Sequence, residues 1–515
     1  MTELVTTAQM RANERRVIES GQIAGLTLME WAGEGVVAAL LSRWPDTALP
    51  TRAVVLCGPG NNGGDGFVIA RVLTALGWDV RVCATGAEAL TNRRFPSGDA
   101  GDNARRWVEA GHRVFPLSAV AIAAGLAEGA VLVDALLGIG QTRSPAALLR
   151  PVHEACAGFT GLRRVAVDMP TGLCSDTGRW LCSEPFRANL TVTFHALKPC
   201  HVLAEGPQIC GAVQVAPIGL PDTPGIPVID APLSDLAKVQ GHKFSHGHAV
   251  VLAGAAGKGG AARLAARAAL RIGAGLVTLA CPVAAMAENA ARLDAVMLTP
   301  VDDAAQMARV LGDGRITAVA LGPGLGLDRR AVAVLEAVLR DGRACVLDAD
   351  ALSLIARDDA LRGLMHKGCV LTPHDGEFAR LFPDLAARMR ETPGPSRIDA
   401  ATQAARALGA TVLSKGPDTV IACPDGRVAV HAAVCERAAP WLATAGAGDV
   451  LTGVIAGLLA RGVTPFDAAC SAAWLHVEAA RDFGPGLIAE DLPEALPKVL
   501  AKVLAKVLAK RLKDQ

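Results

Sequence analysis

Short apolar runs recur along the whole chain, each followed by a cluster of small or polar residues and then by apolar positions at helical spacing. Runs of this kind read as strands buried on both faces, and their alternation with helices predicts an α/β architecture built on parallel sheets. From Thr7 to Ala39 the helical rhythm breaks around Gly21 and Gly25, which predicts two helices. A strand at Thr51–Cys57 follows, then the loop Gly58-Pro-Gly-Asn-Asn-Gly-Gly-Asp-Gly66. Val68, Ile69, Val72, Leu73 and Leu76 mark one face of the next helix, and Asp79–Ala84 is the next strand. Further strands are predicted at Ala130–Asp134, Arg164–Asp168 and Leu190–Phe194. Between Pro217 and Pro232 five prolines break both helix and strand, and the linker is placed there.

Past the linker the alternation restarts. Strands are predicted at Ala249–Ala253, Leu276–Ala280, Thr317–Leu321, Cys345–Leu347, Val370–Leu371 and from Thr411. Glycine-rich turns follow at Gly254–Gly260 and Gly322–Gly326. Ala443–Asp449 reads as a small-residue turn opening a helix through Val450–Gly457, where free N–H groups and the positive end of the helix dipole favour an anion. The tail repeats Lys-Val-Leu-Ala from Lys498 to Ala509 and reads first as a solvated helical extension.

With 515 residues the chain exceeds one ordinary domain, and two domains of over 200 residues each are expected. Basic and acidic residues number 51 and 50, so the net charge of +1 implies neither a polyanion nor a membrane surface as partner. Aromatics are 3% with no Tyr, which argues against base stacking. A small-molecule partner is therefore expected. The thirteen cysteines are scattered singly, with no C-x-x-C pair and no His/Cys cluster at zinc spacing, and read as reduced core residues of a cytoplasmic protein. The N-terminus lacks a signal-peptide pattern, and no apolar run reaches membrane-spanning length.

Gly58-x-Gly60-x-x-Gly63 matches the dinucleotide fingerprint literally. Asp65 then stands where a pyrophosphate should sit and would repel it. Asn61, Asn62 and Asp65, with Asp134 and Thr171, could instead surround a hard cation with oxygen ligands, or the loop could merely satisfy its own turn. Asp168-Met-Pro-Thr-Gly172 ends a strand in a carboxylate, a place for an acid or base or for a turn cap. Asp134 and Asp168, at the carboxyl ends of parallel strands, should project toward the same crevice as the Asn61–Asp65 loop. Gly254–Gly260 contains Lys258 but no Walker A register, and is expected to be a flexible loop over a substrate. His374 on a strand-end loop could meet a polar ligand, and Lys415 could meet a phosphate.

Together these stretches resemble a known family. Gly58–Gly66, Val133-Asp-Ala-Leu-Leu-Gly-Ile-Gly140 and Asp168-Met-Pro-Thr-Gly-Leu173 look like the signature loops of NAD(P)H-hydrate epimerases. Gly260-Ala261, Gly273–Val277, Gly322–Gly326, Asp348–Leu352, Thr372-Pro-His-Asp-Gly-Glu377, Lys415-Gly-Pro-Asp-Thr419 and Gly446-Ala-Gly-Asp449 resemble the ribokinase-like NAD(P)H-hydrate dehydratases. The resemblance implies a Rossmann-like three-layer α/β/α epimerase domain at residues 1–224 and a ribokinase-like α/β dehydratase domain at residues 225–515. In the first, Asn61, Asn62, Gly63, Gly64, Asp65 and the loop Gly138, Ile139, Gly140, Gln141, Thr142, Arg143 and Ser144 would line the hydrate site. Asp168 would act on the substrate, and Asn62, Asp134 and Thr171 would bind K+. In the second, Ala261, Gly324, Gly326, His374 and Asp449 would touch the hydrated nucleotide. Lys415, Gly416, Pro417, Asp418, Thr419 and Gly448 would hold ADP with Mg2+, and Asp449 would be the base. The resemblance also implies homo-oligomers. The competing expectation is a ribokinase-like kinase of a small alcohol or vitamin precursor, with an N-terminal nucleotide-binding module.

Overall fold

The computed structural model describes residues 2–48, 51–238 and 240–513; Met1, Leu49, Pro50, Val239, Asp514 and Gln515 lie outside the described residues. Two compact units emerge, one from Thr2–Ile226 with the short piece Thr392–Ser396, the other from Pro227–Glu391 and Arg397–Gln515. No described helix is long and apolar enough to cross a membrane.

The first unit begins with the two expected helices, α1 (Thr7–Glu19) and α2 (Gly25–Arg43). Thr6 closes a capping box with Gln9 at the start of α1. Seven strands follow: β1 (Arg52–Cys57), β2 (Asp79–Ala84), β3 (Val114–Pro116), β4 (Val131–Ala135), β5 (Arg163–Val167), β6 (Leu190–Phe194) and β7 (Ala212–Ala216). They form one parallel sheet in the order β3-β2-β1-β4-β5-β6-β7. Alternate residues bury on opposite faces, Val55, Val133 and Val165 in one core and Val54, Leu132 and Ala166 in the other. Two covered faces explain why the strands read as continuous apolar runs. The strand order reverses between β1 and β4, and a doubly wound sheet opens its ligand crevice at that point.

One sequence expectation fails here. The stretch from Asn61 to Gly66 is not a loop: helix α3 (Asn61–Ala75) starts at Asn61 and places Asp65 in its second turn. The glycines permit it. A Cβ at Gly63 would lie 2.0 Å from the Gly58 carbonyl oxygen, and one at Gly64 2.5 Å from the Met29 sulfur, so helix and turn can meet only without side chains there.

The second unit repeats the plan. Strands β8 (His248–Leu252), β9 (Leu276–Cys281), β10 (Met297–Pro300), β11 (Ala318–Leu321), β12 (Ala344–Leu347), β13 (Cys369–Leu371) and β14 (Thr411–Ser414) are parallel, in the order β10-β9-β8-β11-β12-β13-β14. Two antiparallel strands, β15 (Asp418–Ala422) and β16 (Val428–Ala432), extend the edge. Asp418 and Thr419 thus open a buried strand, where the sequence had suggested a binding turn. The helices that concern the site are α4 (Gly260–Arg271), α5 (Asp375–Leu381), α6 (Ala447–Ala460), α7 (Pro465–Phe483) and α8 (Asp491–Lys513). The tail repeat is part of α8, and its first turns are docked rather than solvated: Val499 is buried in the core while Lys498 and Lys502 reach Asp482.

Helix α6 crosses α4 at van der Waals distance because Gly453 and Gly457 lack side chains. A Cβ at Gly453 would stand 2.1 Å from the Ala265 carbonyl oxygen. Gly453→Leu is therefore expected to destabilise the second unit by about 1–3 kcal/mol or more through overpacking. Gly314→Ala, at a position with nothing within 4 Å, should leave the denaturant midpoint unchanged. Equal midpoints for both variants would contradict this packing.

Candidate functional sites

At the switch point of the first sheet lies a cleft of about 500 Å³, lined by Asn61, Asn62 and Asp65 of α3, Leu136–Arg143 after β4, Asp168 after β5 and Met10, Arg11 and Glu14 of α1. Asp168 carries φ of 65°, a left-handed conformation that Asp tolerates better than most residues. Its amide donates to Val192 O at 2.7 Å and fixes the turn. One carboxylate oxygen accepts from Thr193 Oγ1 at 3.0 Å and faces Lys198 Nζ at 3.1 Å; the other accepts from the Ile139 amide at 3.2 Å. Lys198 is fully buried and also donates to Phe194 O at 2.8 Å.

Charges in the cleft divide sharply. Burial would raise the Asp168 carboxyl, but the Lys198 ammonium and the Thr193 hydroxyl outweigh it and hold the group below its usual range. Asp65 lies well above that range, through burial and the negative charges of Asp168 and Glu14. Glu14 is raised for the same reasons, burial first and Asp168 next. A carboxylate held ionised thus stands beside two whose hold on a proton is strengthened, an arrangement suited to proton exchange. His201 Nδ1 accepts from the Lys198 amide, so its Nε2 carries the proton toward Asp168 O at 3.3 Å. Burial pushes this ring down to about 4 and keeps it neutral.

The loop after β4 is held by Gln141, which donates to Leu137 O and Gly138 O and accepts from the Gly172 amide at 2.8 Å. Asp134 does not reach the cleft as expected. It is fully buried beneath the loop, where its two oxygens accept from Thr171 Oγ1 and the Thr171 amide, both at 2.8 Å, and from the Leu136 amide. Burial raises it to about 6 against those bonds, and among the described residues no basic side chain pairs with it. Gly63 and Gly64 line a neighbouring cavity of about 300 Å³, and Ser144 lies outside the cleft, accepting from the Ala146 amide.

In the second unit the corresponding switch point lies between β8 and β11. Their loops meet backbone to backbone: a Cβ at Gly254 would be 1.8 Å from Gly324 O, and one at Gly324 would be 3.8 Å from the Ala261 Cβ. The Gly254–Gly260 loop is tethered, since the Gly257 amide donates to Glu288 Oε2 at 2.7 Å. The Gly326 amide donates to Asp350 at 2.9 Å.

Asp348, at the end of β12, accepts from Lys415 Nζ at 2.8 Å and from Thr452 Oγ1 of α6 at 2.9 Å. Lys415 Nζ also lies 3.7 Å from Glu377, which accepts from the His374 amide at 2.9 Å and faces the His374 ring Nε2 at 3.5 Å. His374 caps α5 by accepting from the Gly376 amide, and its ring is half-exposed. A Cβ at Gly448 would sit 3.5 Å from Lys415 Nζ, so Lys415, Asp348, Glu377, His374 and the start of α6 form one cluster. Burial, then the Asp348 carboxylate, push Asp449 up to about 6, with Lys415 pulling the other way. Asp418 is not free for a ligand: it is buried against Arg397 at 3.4 Å. Thr419 Oγ1 closes the turn on Gly416 O at 2.6 Å, and Pro417 O accepts from the Ala433 amide.

Sequence reasoning missed Arg11, Glu14, Thr193, Lys198 and Thr452. Lys198 left a signal, as the one residue among Asp, Glu, Lys and Arg between Arg187 and Glu205. The others reach the sites only through packing.

A family model described as NAD(P)H-hydrate dehydratase matches residues 249–501, and one described as YjeF-related protein N-terminus matches residues 25–200. A bifunctional NAD(P)H-hydrate repair enzyme of Moorella thermoacetica is 35% identical over 95% of this chain and 95% of its own. An NAD(P)H-hydrate epimerase of Cereibacter sphaeroides is 46% identical over 41% of this chain and 99% of its own. Among solved structures, an ADP/ATP-dependent NAD(P)H-hydrate dehydratase from Bacillus subtilis, co-crystallized with ATP/Mg2+, is 26% identical with a TM-score of 0.44, covering 54% of this chain and 99% of that one. The two successive family matches and the full-length likeness agree: this chain belongs to the family of bifunctional NAD(P)H-hydrate repair enzymes.

Proposed function

We propose that the chain restores hydrated NADH and NADPH in two steps, with residues 1–224 exchanging the R and S hydrates and residues 225–515 dehydrating the S hydrate at the expense of ADP. The observation that carries this reading is Asp449 in the first turn of α6, raised toward neutrality beside the Lys415–Asp348 pair. The hydrate bears a hydroxyl on the ring carbon next to nitrogen, and hydroxide leaves poorly. Asp449 takes the hydroxyl proton as its oxygen attacks the β-phosphorus of ADP and AMP departs. The amides of Gly446 to Gly448 and the ammonium of Lys415 stabilise the charge on the phosphoryl group in transfer. The ring nitrogen's lone pair then expels phosphate as the C–O bond breaks, and the iminium so formed loses a proton from the adjacent ring carbon to the departing phosphate or water, restoring the dihydronicotinamide. A kinase of a stable alcohol is not favoured, because the first unit then has no part in the reaction.

In the first unit, ionised Asp168 and the raised carboxyls of Asp65 and Glu14 would exchange protons with the hydrate, while the Ile139 amide and Arg11 hold the loop over it. K+ is assigned to Asn62, Asp134 and Thr171. The donor chemistry fits: Asp134 is a buried carboxylate without a basic partner, and Thr171 adds a hydroxyl oxygen beside it. The ion's part would be to compensate that charge and hold the loop ends in place. Mg2+ would accompany ADP, for which the carboxylates of Asp348 and Glu377 offer the oxygen donors hard cations prefer. Ala261, Gly324, Gly326 and His374 are assigned to the hydrate, and Gly416 to the nucleotide. The Asp418 side chain takes no part in holding the nucleotide, since Arg397 occupies it. The same reading proposes cytoplasmic residence and homo-oligomers.

Asp449→Asn should lower dehydration of the S hydrate by roughly 10²–10⁴-fold, as loss of a general base does, while epimer exchange continues; near-normal dehydration would remove Asp449 from its role. Because Asp449 must be ionised to accept a proton, its raised value near 6 predicts that kcat for dehydration falls about tenfold per unit as pH drops below 6. A rate flat to pH 5 would contradict this. Asp168→Asn should leave S-hydrate turnover intact and stop recovery from mixed epimers at the S share, measured as absorbance of the reduced cofactor; full recovery would exclude Asp168 from epimerisation.

A further inference from the structure

At the opposite, amino-terminal edge of the second sheet is a group that neither reaction uses. Cys345 of β12 and Cys369 of β13 are register partners on adjacent parallel strands. Their neighbours Val346 and Val370 bury together on one face of the sheet, so the two thiols point side by side to the other. Both are fully buried, with Sγ atoms 3.5 Å apart. His366 comes back to them through the turn His366-Lys-Gly-Cys369, closed by the Cys369 amide donating to His366 O at 2.9 Å. One ligand atom from each of the three residues lies within 4.8 Å of the others. The Nε2 atom of His366 is buried with no nitrogen or oxygen partner, and the ring interacts with the Cys369 thiol, so the imidazole and the two sulfurs face one another.

We propose that Cys345, His366 and Cys369 bind a single thiophilic cation, Zn2+ being the best match. Two thiolates and an imidazole are the donor set of borderline-soft ions, and Mg2+ or K+ would be rejected by sulfur. Zn–S bonds of about 2.3 Å at a tetrahedral angle separate two sulfurs by about 3.8 Å, so the observed 3.5 Å needs only a small adjustment. Binding releases the two thiol protons to solvent, and the turn gives a path, since His366 is half-buried and Lys367 exposed. Coordination through either ring nitrogen displaces the 3.2 Å bond from the Gly368 amide to Nδ1, a weak bond set against a metal–nitrogen bond. Water completes the fourth position. The ion would tie β12 to β13 three residues before Asp348, and so act on the stability of the strand that delivers Asp348, not on the chemistry itself. Spacing alone conceals the site: His366 and Cys369 have metal-binding spacing, but the third ligand stands 24 residues from Cys369 on another strand.

The test uses the full-length protein, reduced and freed of metal by a chelator, titrated with Co2+. One equivalent should raise a thiolate-to-cobalt charge-transfer band, Zn2+ should bleach it, and Zn2+ should raise the thermal midpoint. Cys345→Ser with Cys369→Ser should abolish the band. His366→Ala, at a half-buried position in a turn, should weaken binding about tenfold or more while leaving the thermal midpoint of the metal-free protein close to that of the wild type. Peptide mapping after thiol alkylation should show Cys345 and Cys369 protected by Zn2+, with exposed Cys435 labelled regardless. No band in the reduced wild-type protein would overturn the proposal. So would a band that survives the double substitution or is indifferent to His366→Ala, or alkylation of both cysteines unchanged by Zn2+.

Discussion

In both units a carboxylate at the carboxyl end of a parallel strand is neutralised by a lysine from a later element, and the chemistry depends on that pairing. Asp168 meets Lys198 at 3.1 Å, and Asp348 meets Lys415 at 2.8 Å. Each pair is mostly withdrawn from water, where removing one partner of a buried pair costs roughly 3–5 kcal/mol. Around each pair a further carboxyl is raised, by burial first and by the charge of the paired carboxylate next: Asp65 and Glu14 around Asp168, Asp449 beside Asp348. A fixed negative charge and a movable proton are thereby set side by side, which is what acid–base exchange and phosphoryl transfer both require.

Where these pairs stand follows from the sheets. Each sheet reverses its strand order at one point, and the loops from the strands flanking that point must approach closely. Glycines make the approach possible, Gly58 and Gly63 in the first unit, Gly254, Gly322 and Gly324 in the second. Side chains at those positions would hold the loops apart and move the carboxylates from their partners. The glycine-rich stretches are thus packing devices as much as ligand contacts, and Gly63 and Gly64 illustrate the point: Gly63 meets the Gly58 turn, Gly64 meets Met29 of α2, and both line a side cavity rather than the cleft.

Much of this was legible in the chain. The period and length of the apolar runs give most strands, because strands buried on both faces leave little room for polar residues. Asp168, Lys415 and Asp449 stand out because charged residues at strand or helix ends interrupt those runs. What stayed hidden depends on distance in sequence. Glu14 and Arg11 come to the cleft from a helix more than a hundred residues before Gly138, and Lys198 completes Asp168 from beyond β6. Burial also misleads: Asp418 looks like a site carboxylate in sequence yet is taken by Arg397, and Asp134 sits beneath the loop bonded to Thr171 rather than in the cleft itself. Asn61–Gly66 reads as a loop because glycine is a poor helix former, and tertiary packing against Gly58 and Met29 overrides that propensity.

The central claim is that two proton-transfer sites in one chain serve a single recovery of reduced nicotinamide. Its most direct measurement is to incubate the intact protein with a mixture of both NADH-hydrate epimers and ADP with Mg2+, following the absorbance of the reduced cofactor to its end point. Both sites acting in sequence predict recovery of the whole hydrate pool, with one phosphate and one AMP released per cofactor regained. A plateau at the share of one epimer, or formation of a stable phosphorylated product without recovery, would contradict it.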